Sequence, residues 1–589
     1  MNTSSSGSAA APAPARIDPL GDQPQPSHGL EHEPAHRGLP PLVRLRSMLK
    51  LERNELWVAI IYSAAIGLLT LVMPVATQLL VNTIAFGNLV QPLVVLTMIV
   101  LAGMGVATIL QAFRVYVVEI IQRRVFVRVS TDVVFRLLRA RRDAFDQHYG
   151  PELVNRFFDV VTVQKSAAML LIDGLSVVMQ TAVGMILLGF YHPWLLAFDL
   201  ILLVAIVVVL FPLGSGAVST CIRESKAKYE LAAWIQEVSR HMITFKSASG
   251  AAYALERTDA LVGKYLVYRR KHFRILLRQI AGSLGLQAIA SAALLGVGGW
   301  LVIQRQLTLG QLVAAELVVA LVVSGFSKFG KHLELFYDLL AAIDKLGYLT
   351  DLPIEDSGAE KFQPEGRGIS VRLQGMTFGY DSKAPILRDI DWTVHRGGRV
   401  GIEGHSGHGK SSLFDLIYGL QEPLSGVVQM EEIDNRELRR IDLRNQIALV
   451  RQVEVFHGTL LENVRLGDGE IGIAEVKRAL ASVGLLEEAL ALPRGLQTPL
   501  ATGGLPLSHG QAVRLMFARA ILRRPRLLMV DELLDHLDDA RERRTLIETL
   551  FATDAPWTLI VATSNHATLK LCDQTYLLED GKLQERGTV

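Results

Sequence analysis

Six runs of apolar residues, each about 20 residues or more in length and nearly free of charge, constrain the fold of this chain most. A hydrocarbon layer about 30 Å thick is crossed by roughly 20 helical residues. Lipid offers no hydrogen-bond partner to backbone amides, so each run is expected to be helical. The pattern predicts an all-α membrane domain of six helices. The runs are Leu56–Val81, Phe86–Phe113, Leu170–Phe190, Trp194–Gly214, Ile280–Ile303 and Leu307–Ser327.

Basic residues predict how these helices are oriented. The turns inside each successive pair of runs are short and almost free of charge, with Arg305 as the exception. The segment before the first run and the two long connections are rich in arginine and lysine, for example at Arg123, Arg142 and Arg269. Positive charge stays on the cytosolic side of a membrane. Both termini and both long connections are therefore predicted to be cytosolic.

The long connections are themselves expected to be helical. Val125–Ala140 and Lys228–Ser249 alternate apolar and charged residues at helical spacing. The membrane helices are therefore predicted to extend well into the cytosol. Within the first run, Pro74 predicts a kink.

Three carboxylates fall within or at the ends of the apolar runs: Asp173, Asp199 and Glu316. An ionisable group in lipid is costly and often marks a substrate or proton path. The alternative is that each is paired structurally near a helix end or bundle interface. Glu316 lies deepest by the predicted spans and is the first candidate for a substrate role.

The first 40 residues are rich in alanine, proline, serine and glycine and lack the apolar segment of a secretory signal peptide. We expect a disordered cytosolic tail. Its histidines His28, His32 and His36 recur at every fourth residue, but Pro26, Gly29 and Pro34 disfavour the helix that would align them around a metal. A solvated tail is the favoured interpretation.

Overall charge and cysteine content exclude several other classes of protein. The net charge of the 589 residues is only +2, which predicts no nucleic-acid partner. Cys221 and Cys572 are the only cysteines and lie in different predicted domains, so no disulfide framework or paired-cysteine metal site is expected.

A glycine-rich loop follows the strand-like stretch Arg399–Glu403 and opens a helical stretch at Ser412–Tyr418. This is the strand-loop-helix setting of a P-loop. Its glycines let backbone N–H groups surround phosphate oxygens, Lys410 reaches the β and γ oxygens, and the Ser411 hydroxyl ligates Mg²⁺. The residues predicted to bind ATP here are Gly404, His405, Ser406, Gly407, His408, Gly409, Lys410, Ser411 and Ser412.

The apolar stretch Leu527–Val530 reads as a buried strand that ends in two carboxylates. Asp531 is predicted to hold Mg²⁺ and Glu532 to polarise the attacking water. Phosphoryl transfer needs both a metal and a positioned nucleophile. The P-loop in the same domain therefore strengthens the assignment of these two carboxylates to ATP hydrolysis.

Between these motifs, Leu507-Ser508-His509-Gly510-Gln511 is similar to the LSGGQ signature of the ABC exporter family, which the chain resembles over roughly residues 45–589. The resemblance implies a multidomain membrane protein that joins an all-α six-helix exporter transmembrane domain to an α/β P-loop NTPase domain. It implies ATP and Mg²⁺ as cofactors. It also implies that Ser508, Gly510 and Gln511 contact ATP held on the opposite subunit, where a helix N-terminus is aimed at an anion. The implied division is a tail at 1–40, a transmembrane domain with long helical extensions at 41–352 and an ATP-binding cassette at 353–589.

Further positions extend the resemblance. Tyr380, in Phe378-Gly379-Tyr380, resembles the A-loop aromatic residue that stacks on adenine. Gln452 matches the Q-loop glutamine, which in the family links the γ-phosphate and Mg²⁺ to the membrane helices, and Asp538 matches the D-loop. The segment Leu307–Leu312 looks like that of bacterial peptide and protein exporters.

Two departures bear on the rate of hydrolysis. The family's switch histidine falls on Ser564, and His566 would replace it only if the loop shifted register. Loss of such a charge-assisted contact commonly costs about 10²–10³ in rate. His509 stands where the signature has its first glycine. Glu532 is nevertheless retained, which favours residual hydrolysis.

Two functions from different classes remain open at this stage. The first is an ATP-driven exporter of a peptide, protein or amphipathic molecule, a half-transporter that pairs with a second copy or a relative in a lipid bilayer. The resemblance implies a bacterial inner membrane. The retained Glu532 and the complete P-loop slightly favour a homodimer over a heterodimer. The alternative is a regulatory or degenerate subunit of a heterodimeric complex that binds ATP and hardly hydrolyses it.

Overall fold

The computed structural model describes residues 40–84, 90–145, 154–327, 329–381 and 383–586. The predicted tail at 1–40, with its three histidines, lies outside the described residues except for Pro40. The chain divides into two compact units. The first comprises 1–133 and 153–351, and the second comprises 134–152 and 352–589.

The first unit is built from helices, and helix α4 continues from it into the second. Proline and several polar residues start the helices, for example His192, whose ring accepts a hydrogen bond from the backbone N–H of Trp194. The helices are α1 Pro41–Leu51, α2 Arg53–Thr70, α3 Val72–Ile84, α4 Val90–Leu137, α5 Asp159–Met169, α6 Leu175–Tyr191, α7 Pro193–Leu210, α8 Ala217–Arg240, α9 Met242–Phe245, α10 Ala248–Ile303, α11 Leu309–Ser327 and α12 Phe329–Thr350, with short 3₁₀ turns at Arg142–Phe145 and Arg156–Phe158 and a π turn at Leu170–Gly174.

All six predicted membrane spans correspond to apolar helices among the described residues. Four are long and apolar enough to cross a membrane: 53–83, 90–137, 156–191 and 248–303. Two shorter apolar helices, Pro193–Val209 and Leu309–Val322, match the fourth and sixth runs. In the first span, α2 ends at Thr70 and α3 begins at Val72. Pro74 has no N–H to donate to the carbonyl of Thr70, and a proline ring crowds the carbonyl four residues before it. The helix is therefore interrupted at Leu71, next to the proline that predicts a kink.

Two helices are much longer than a membrane is thick. α4 has 48 residues and α10 has 56. At 1.5 Å per residue they extend about 72 and 84 Å, against a hydrocarbon layer of about 30 Å. Both helices are therefore long enough to continue beyond the bilayer, as the sequence pattern predicts. The second connection is interrupted by short breaks around α9.

The three membrane carboxylates have different surroundings in the structure. Glu316 and Asp173 are exposed on the surface of the chain. Asp199 on α7 is only 3% exposed, and neither of its carboxylate oxygens has a hydrogen-bond partner within the described ranges. Depth along an apolar run therefore did not predict which carboxylate faces the packed interior, because that depends on which side of the helix meets its neighbours.

The second unit is an α/β domain. Its main parallel sheet is buried on both faces, as its unbroken aliphatic strands predict. The elements are β1 Val371–Phe378, β2 Leu387–Val394, β3 Arg399–Glu403, α13 Lys410–Ile417, β4 Ser425–Met430, β5 Ile433–Asp434, α14 Arg440–Gln446, β6 Ile447–Val450, β7 Gly458–Thr459, α15 Leu460–Arg465, α16 Ile473–Ser482, α17 Leu486–Ala491, β8 Pro499–Leu500, α18 His509–Leu522, β9 Leu527–Asp531, α19 Ala540–Leu550, β10 Thr558–Ala562, α20 His566–Leu569, β11 Gln574–Glu579 and β12 Lys582–Arg586.

The six-stranded sheet has the order β12-β11-β3-β10-β9-β6. All neighbouring pairs are parallel except the pair formed by β12 and β11. Along β9, Leu528 and Val530 pack into one apolar cluster, whereas Leu527 and Met529 pack into another. A second, antiparallel sheet has the order β2-β1-β4-β5. The carboxyl ends of β3, β10, β9 and β6 therefore meet at one edge.

A short segment from the first long connection belongs to the second unit. Ala140 forms an antiparallel bridge with Ile354, and the backbone N–H of Arg141 donates to the carbonyl of Pro353 at 2.9 Å. The N–H of Glu355 donates to the carbonyl of Arg139 at 2.7 Å. The segment from 134 to 145 is thus attached through backbone pairing to the start of the cassette sequence.

Candidate ATP site

Four sequence motifs converge at the carboxyl edge of the parallel sheet. The P-loop follows β3, Asp531 ends β9, Ser564 follows β10 and Gln452 follows β6. These four strands are adjacent in the sheet. The carboxyl edge of an open α/β sheet is where ligands bind in such folds.

The P-loop has the backbone geometry that its glycines predict. Gly407 and Gly409 have φ of +89° and +96°, in the left-handed region that favours glycine. A Cβ at Gly409 would lie 2.9 Å from a methyl of Ile386, so no larger residue fits. At Gly407 a Cβ would meet no described heavy atom within 4 Å, which leaves space on that side of the loop. The loop leads directly into α13.

Lys410 lies folded onto its own loop. Its Nζ donates to the carbonyls of Gly404 and His405 at 2.5 and 2.9 Å. The same nitrogen forms an ion pair with Glu532 Oε1 at 2.9 Å. The side chain of Lys410 is 6% exposed and that of Glu532 is 45% exposed. The predicted phosphate-binding lysine and the predicted catalytic glutamate are therefore direct neighbours.

Asp531 is buried at the end of β9, with 3% of the residue exposed. Its Oδ2 accepts a hydrogen bond from Arg451 Nε at 2.6 Å. Its Oδ1 is buried and has no hydrogen-bond partner in the described part of the chain. A carboxylate oxygen left without a partner in this position fits a hard cation such as Mg²⁺, which takes oxygen ligands. Ser411, another predicted ligand, is the second residue of α13 and is exposed.

Tyr380 follows β1 and is 59% exposed. Its hydroxyl lies 3.3 Å from the hydroxyl of Ser412 in the P-loop helix, and its ring meets Phe378 edge-on at 5.2 Å. These contacts hold the ring beside the P-loop while much of the residue stays open for a base to stack.

We expect Tyr380→Ala to weaken ATP binding. Stacking of a base on an aromatic ring is worth about 1–3 kcal/mol, which corresponds to roughly a 5- to 150-fold increase in the dissociation constant. Equilibrium titration with a fluorescent ATP analogue measures this dissociation constant. Tyr380→Phe is the matched control, since it keeps the ring and loses only the hydroxyl contact to Ser412. Equal affinity of wild type and Tyr380→Ala would contradict the role in adenine stacking.

The signature segment starts α18. Ser508 caps the helix: its Oγ accepts from the N–H of Gln511 at 3.2 Å, and Gln511 Oε1 accepts from the N–H of Ser508 at 2.8 Å. This reciprocal pair is a capping box. Gln511 also donates to Glu488 at 2.8 Å. Both side chains thus hold the N-terminus of α18, which the family resemblance predicts to face ATP. His509 is exposed in the first turn, with its ring 6.2 Å from that of His536.

The switch loop is held by a residue that the sequence analysis did not identify. Asp535 lies in the 3₁₀ turn after Glu532. Its Oδ2 accepts from the backbone N–H of Ser564 at 3.1 Å and lies 3.4 Å from its hydroxyl. Its Oδ1 accepts from the hydroxyl of Thr563 at 2.6 Å. His566 starts the separate helix α20, so the loop has not shifted to bring it to position 564.

Gln452 and Arg451 differ in their surroundings. Gln452 is exposed and donates to Glu454 at 2.8 Å. Arg451, its neighbour, contacts both Asp531 and the P-loop helix. Sequence reasoning missed Arg451, although a basic residue directly before the Q-loop glutamine was a visible signal. Two other missed residues, Asp415 and Asp535, carried no motif that would have distinguished them from helix-surface acids.

Comparisons with known proteins agree with this geometry. The family model described as the ABC transporter transmembrane region matches residues 56–325, and the ABC transporter model matches residues 387–535. The chain is 28% identical over 449 residues to the mycobactin import ATP-binding/permease protein IrtB of Mycolicibacterium thermoresistibile, covering 75% of this chain and 74% of that protein. It is 27% identical over 470 residues to an ATP-dependent lipid A-core flippase of Xanthomonas campestris pv. campestris, covering 77% and 78%.

A solved structure of a bacterial Atm1-family ABC exporter with ATP bound has the same fold. The TM-score is 0.81 at 21% identity, covering 91% of this chain and 95% of that one. The membrane helices, the P-loop domain and both family models define an integral multi-pass membrane protein with a fused ATPase. The chain belongs to the ABC transporter family. Within it, the chain is an exporter-type half-transporter, with one transmembrane region and one ATPase domain that is coupled to transport.

Proposed function

We propose that this half-transporter binds MgATP between two cassettes and uses its hydrolysis to move an amphipathic substrate across a bacterial inner membrane. The observation that supports hydrolysis most directly is the contact between Lys410 and Glu532, 2.9 Å apart, beside the buried Asp531. Phosphoryl transfer depends on positioning and on stabilising charge, and this edge of the sheet supplies groups for both.

In this proposal the P-loop from Gly404 to Ser412 holds the phosphates and Tyr380 stacks on adenine. Ser411, Asp531 and Gln452 would hold Mg²⁺, which would supply positive charge to stabilise the phosphate oxygens. Glu532 orients the attacking water, and Ser564 contributes a neutral hydrogen bond near the γ-phosphate. Ser508, Gly510 and Gln511 complete the ATP site of the opposite cassette.

The partner is proposed to be a second copy of this chain. The P-loop, Asp531 and Glu532 are all present, so each cassette holds a complete set of groups for metal binding and attack. Two relatives are named for a mycobactin and for lipid A-core, and both names favour an amphipathic molecule over a peptide or protein as substrate. Both termini are proposed to be cytoplasmic. The segment before the first span and the two long connections are rich in basic residues, and positive charge stays on the cytosolic side of a membrane.

The test is Mg²⁺-dependent ATP turnover by the purified chain alone in lipid nanodiscs, with the subunit number measured by mass photometry. We expect two copies in each disc and turnover that disappears when EDTA removes Mg²⁺. ATP binding without turnover by a homodimer would instead support the regulatory subunit. Its supporting observations are Ser564 and His509 in the switch and signature positions.

A further inference from the structure

Four charged side chains form an unbroken series of ion pairs that ends at Asp531. Arg142 Nη1 lies 2.6 Å from Asp415 Oδ2, and Asp415 Oδ1 lies 2.8 Å from Arg451 Nη1. Arg451 Nε in turn lies 2.6 Å from Asp531 Oδ2. Arginine and aspartate alternate, so each aspartate is paired with at least one arginine and each arginine with at least one aspartate.

The two carboxylates in this series are buried and depend on the arginines. The side chain of Asp415 is 1% exposed and that of Asp531 is 2% exposed. Buried charges persist only when they are paired and hydrogen-bonded. The Arg451 guanidinium donates to Asp415 at 2.8 Å and to Asp531 at 2.6 Å, so it pairs with both carboxylates.

Arg451 also contacts the backbone of Ser411, another predicted metal ligand. Its Nη2 donates to the carbonyl oxygen of Ser411 at 2.8 Å. One planar guanidinium group thus binds Ser411, Asp415 and Asp531 through three different nitrogens. The fork geometry of arginine fixes the positions of its partners relative to one another, which the point charge of lysine does not.

We propose that Arg451 is a positioning residue for the Mg²⁺ site and that Arg142 acts on the same site through Asp415. This inference rests on the proposed role of Asp531 and Ser411 in holding Mg²⁺. Arg451 occupies Oδ2 of Asp531 and leaves Oδ1, the buried oxygen that lacks a described partner, for the metal. Residues that orient metal ligands through such outer contacts alter metal affinity although they never touch the metal.

Arg142 makes this positioning depend on a segment from outside the cassette sequence. It lies in the 3₁₀ turn Arg142–Phe145, five residues after the end of α4 at Leu137. Arg142 and Arg451 bind different oxygens of Asp415. Withdrawal of Arg142 leaves Arg451 as the partner of Asp415 and shifts the guanidinium towards it, away from Asp531. The Mg²⁺ site therefore responds to the conformation of the chain that leaves a membrane helix.

The test compares nucleotide binding with and without a divalent cation in the full chain in nanodiscs. Mn²⁺ is the probe, since its binding is read by electron paramagnetic resonance and needs no turnover. We expect Arg451→Gln to weaken Mn²⁺ binding in the presence of saturating ATP by about 10- to 100-fold, the usual effect of losing a residue that orients a metal ligand. ATP affinity in EDTA should change by less than about twofold, because within the described residues of the predicted phosphate site Arg451 contacts only the backbone carbonyl oxygen of Ser411, an acceptor that does not bind phosphate oxygens.

Further variants separate positioning from charge and from folding. Arg451→Lys keeps the charge but loses the fork, and should also weaken Mn²⁺ binding. Arg142→Gln removes a side chain that is 41% exposed and should give a smaller loss of about threefold or more in Mn²⁺ affinity. The double variant Arg142→Gln with Arg451→Gln should bind Mn²⁺ no more weakly than Arg451→Gln alone, because both act along one path. The control is Arg141→Gln, since among the described residues the side chain of Arg141 pairs with Asp143 at the surface.

The outcomes are distinct. If wild-type protein binds Mn²⁺ equally with and without ATP, the proposed metal site itself fails. If wild type binds Mn²⁺ with ATP and both Arg451 variants match it, the positioning role is wrong. If Arg142→Gln behaves like Arg141→Gln, or its loss adds fully to that of Arg451→Gln, the link through Asp415 is wrong.

Discussion

Glu532→Gln is expected to abolish most ATP turnover while leaving ATP binding intact. Gln keeps the size of the side chain and cannot polarise water as a carboxylate does, so the rate should fall by at least about 10²–10³. Glu532 has a φ of +58°, in the left-handed region. Gln adopts this region about as readily as Glu, so the substitution should leave the fold unaffected. Phosphate release under saturating MgATP measures the rate.

The matched control for this variant is Glu548→Gln on α19, which removes an exposed carboxylate that pairs with Arg544. Its turnover should equal that of wild type. If Glu532→Gln kept wild-type turnover, another carboxylate would have to orient the water. Asp535, three residues further on, would be the next to replace with Asn.

Ser564→His is expected to raise turnover by about tenfold or more, since a charge-assisted contact to the γ-phosphate typically contributes 10²–10³ in rate. The structure adds a reason beyond the family pattern. Asp535 already lies beside position 564 and accepts from its backbone N–H at 3.1 Å. An imidazole placed there would have a carboxylate next to it, the usual means of orienting a histidine.

Two controls isolate the effect of the charge. Ser564→Gln lengthens the side chain without a positive charge and should give no gain in turnover. Combining Ser564→His with Asp535→Asn should reduce the gain, because the orienting carboxylate is lost. An unchanged rate in Ser564→His would mean that the γ-phosphate contact does not limit turnover, and attention would move to His509 in the signature.

The parts of the site that could be predicted from sequence are those with strong local signals. Apolar run length determines the six helices, since lipid enforces helical hydrogen bonding. The glycines of the P-loop determine its backbone, as the φ of Gly407 and Gly409 shows. Two carboxylates after a buried strand gave Asp531 and Glu532. Each signal is contained within a few consecutive residues.

The residues that sequence reasoning missed depend on contacts between distant parts of the chain. Arg451 meets Asp531 across 80 residues, and Asp535 meets Ser564 across 29. Such pairs form only when neighbouring parallel strands bring loop ends together. The same reason explains why Asp199, and not Glu316, faces the packed interior. A position along a helix is readable from sequence, whereas the side it presents to its neighbours depends on the whole bundle.

The backbone bridge from Ala140 to Ile354 has a consequence for how the protein is made. The ATPase unit is discontinuous: one small piece, 134–152, is synthesised before residues 153–351, and the remainder of the unit follows from 352. During synthesis on the ribosome, the residues that pair with this piece are made only after four further apolar segments have been synthesised. A cassette produced alone from residue 353 would leave the N–H of Glu355 and one oxygen of Asp415 without the partners they have in the whole chain. Studies of the excised ATPase would therefore describe a domain that lacks a piece of its own fold.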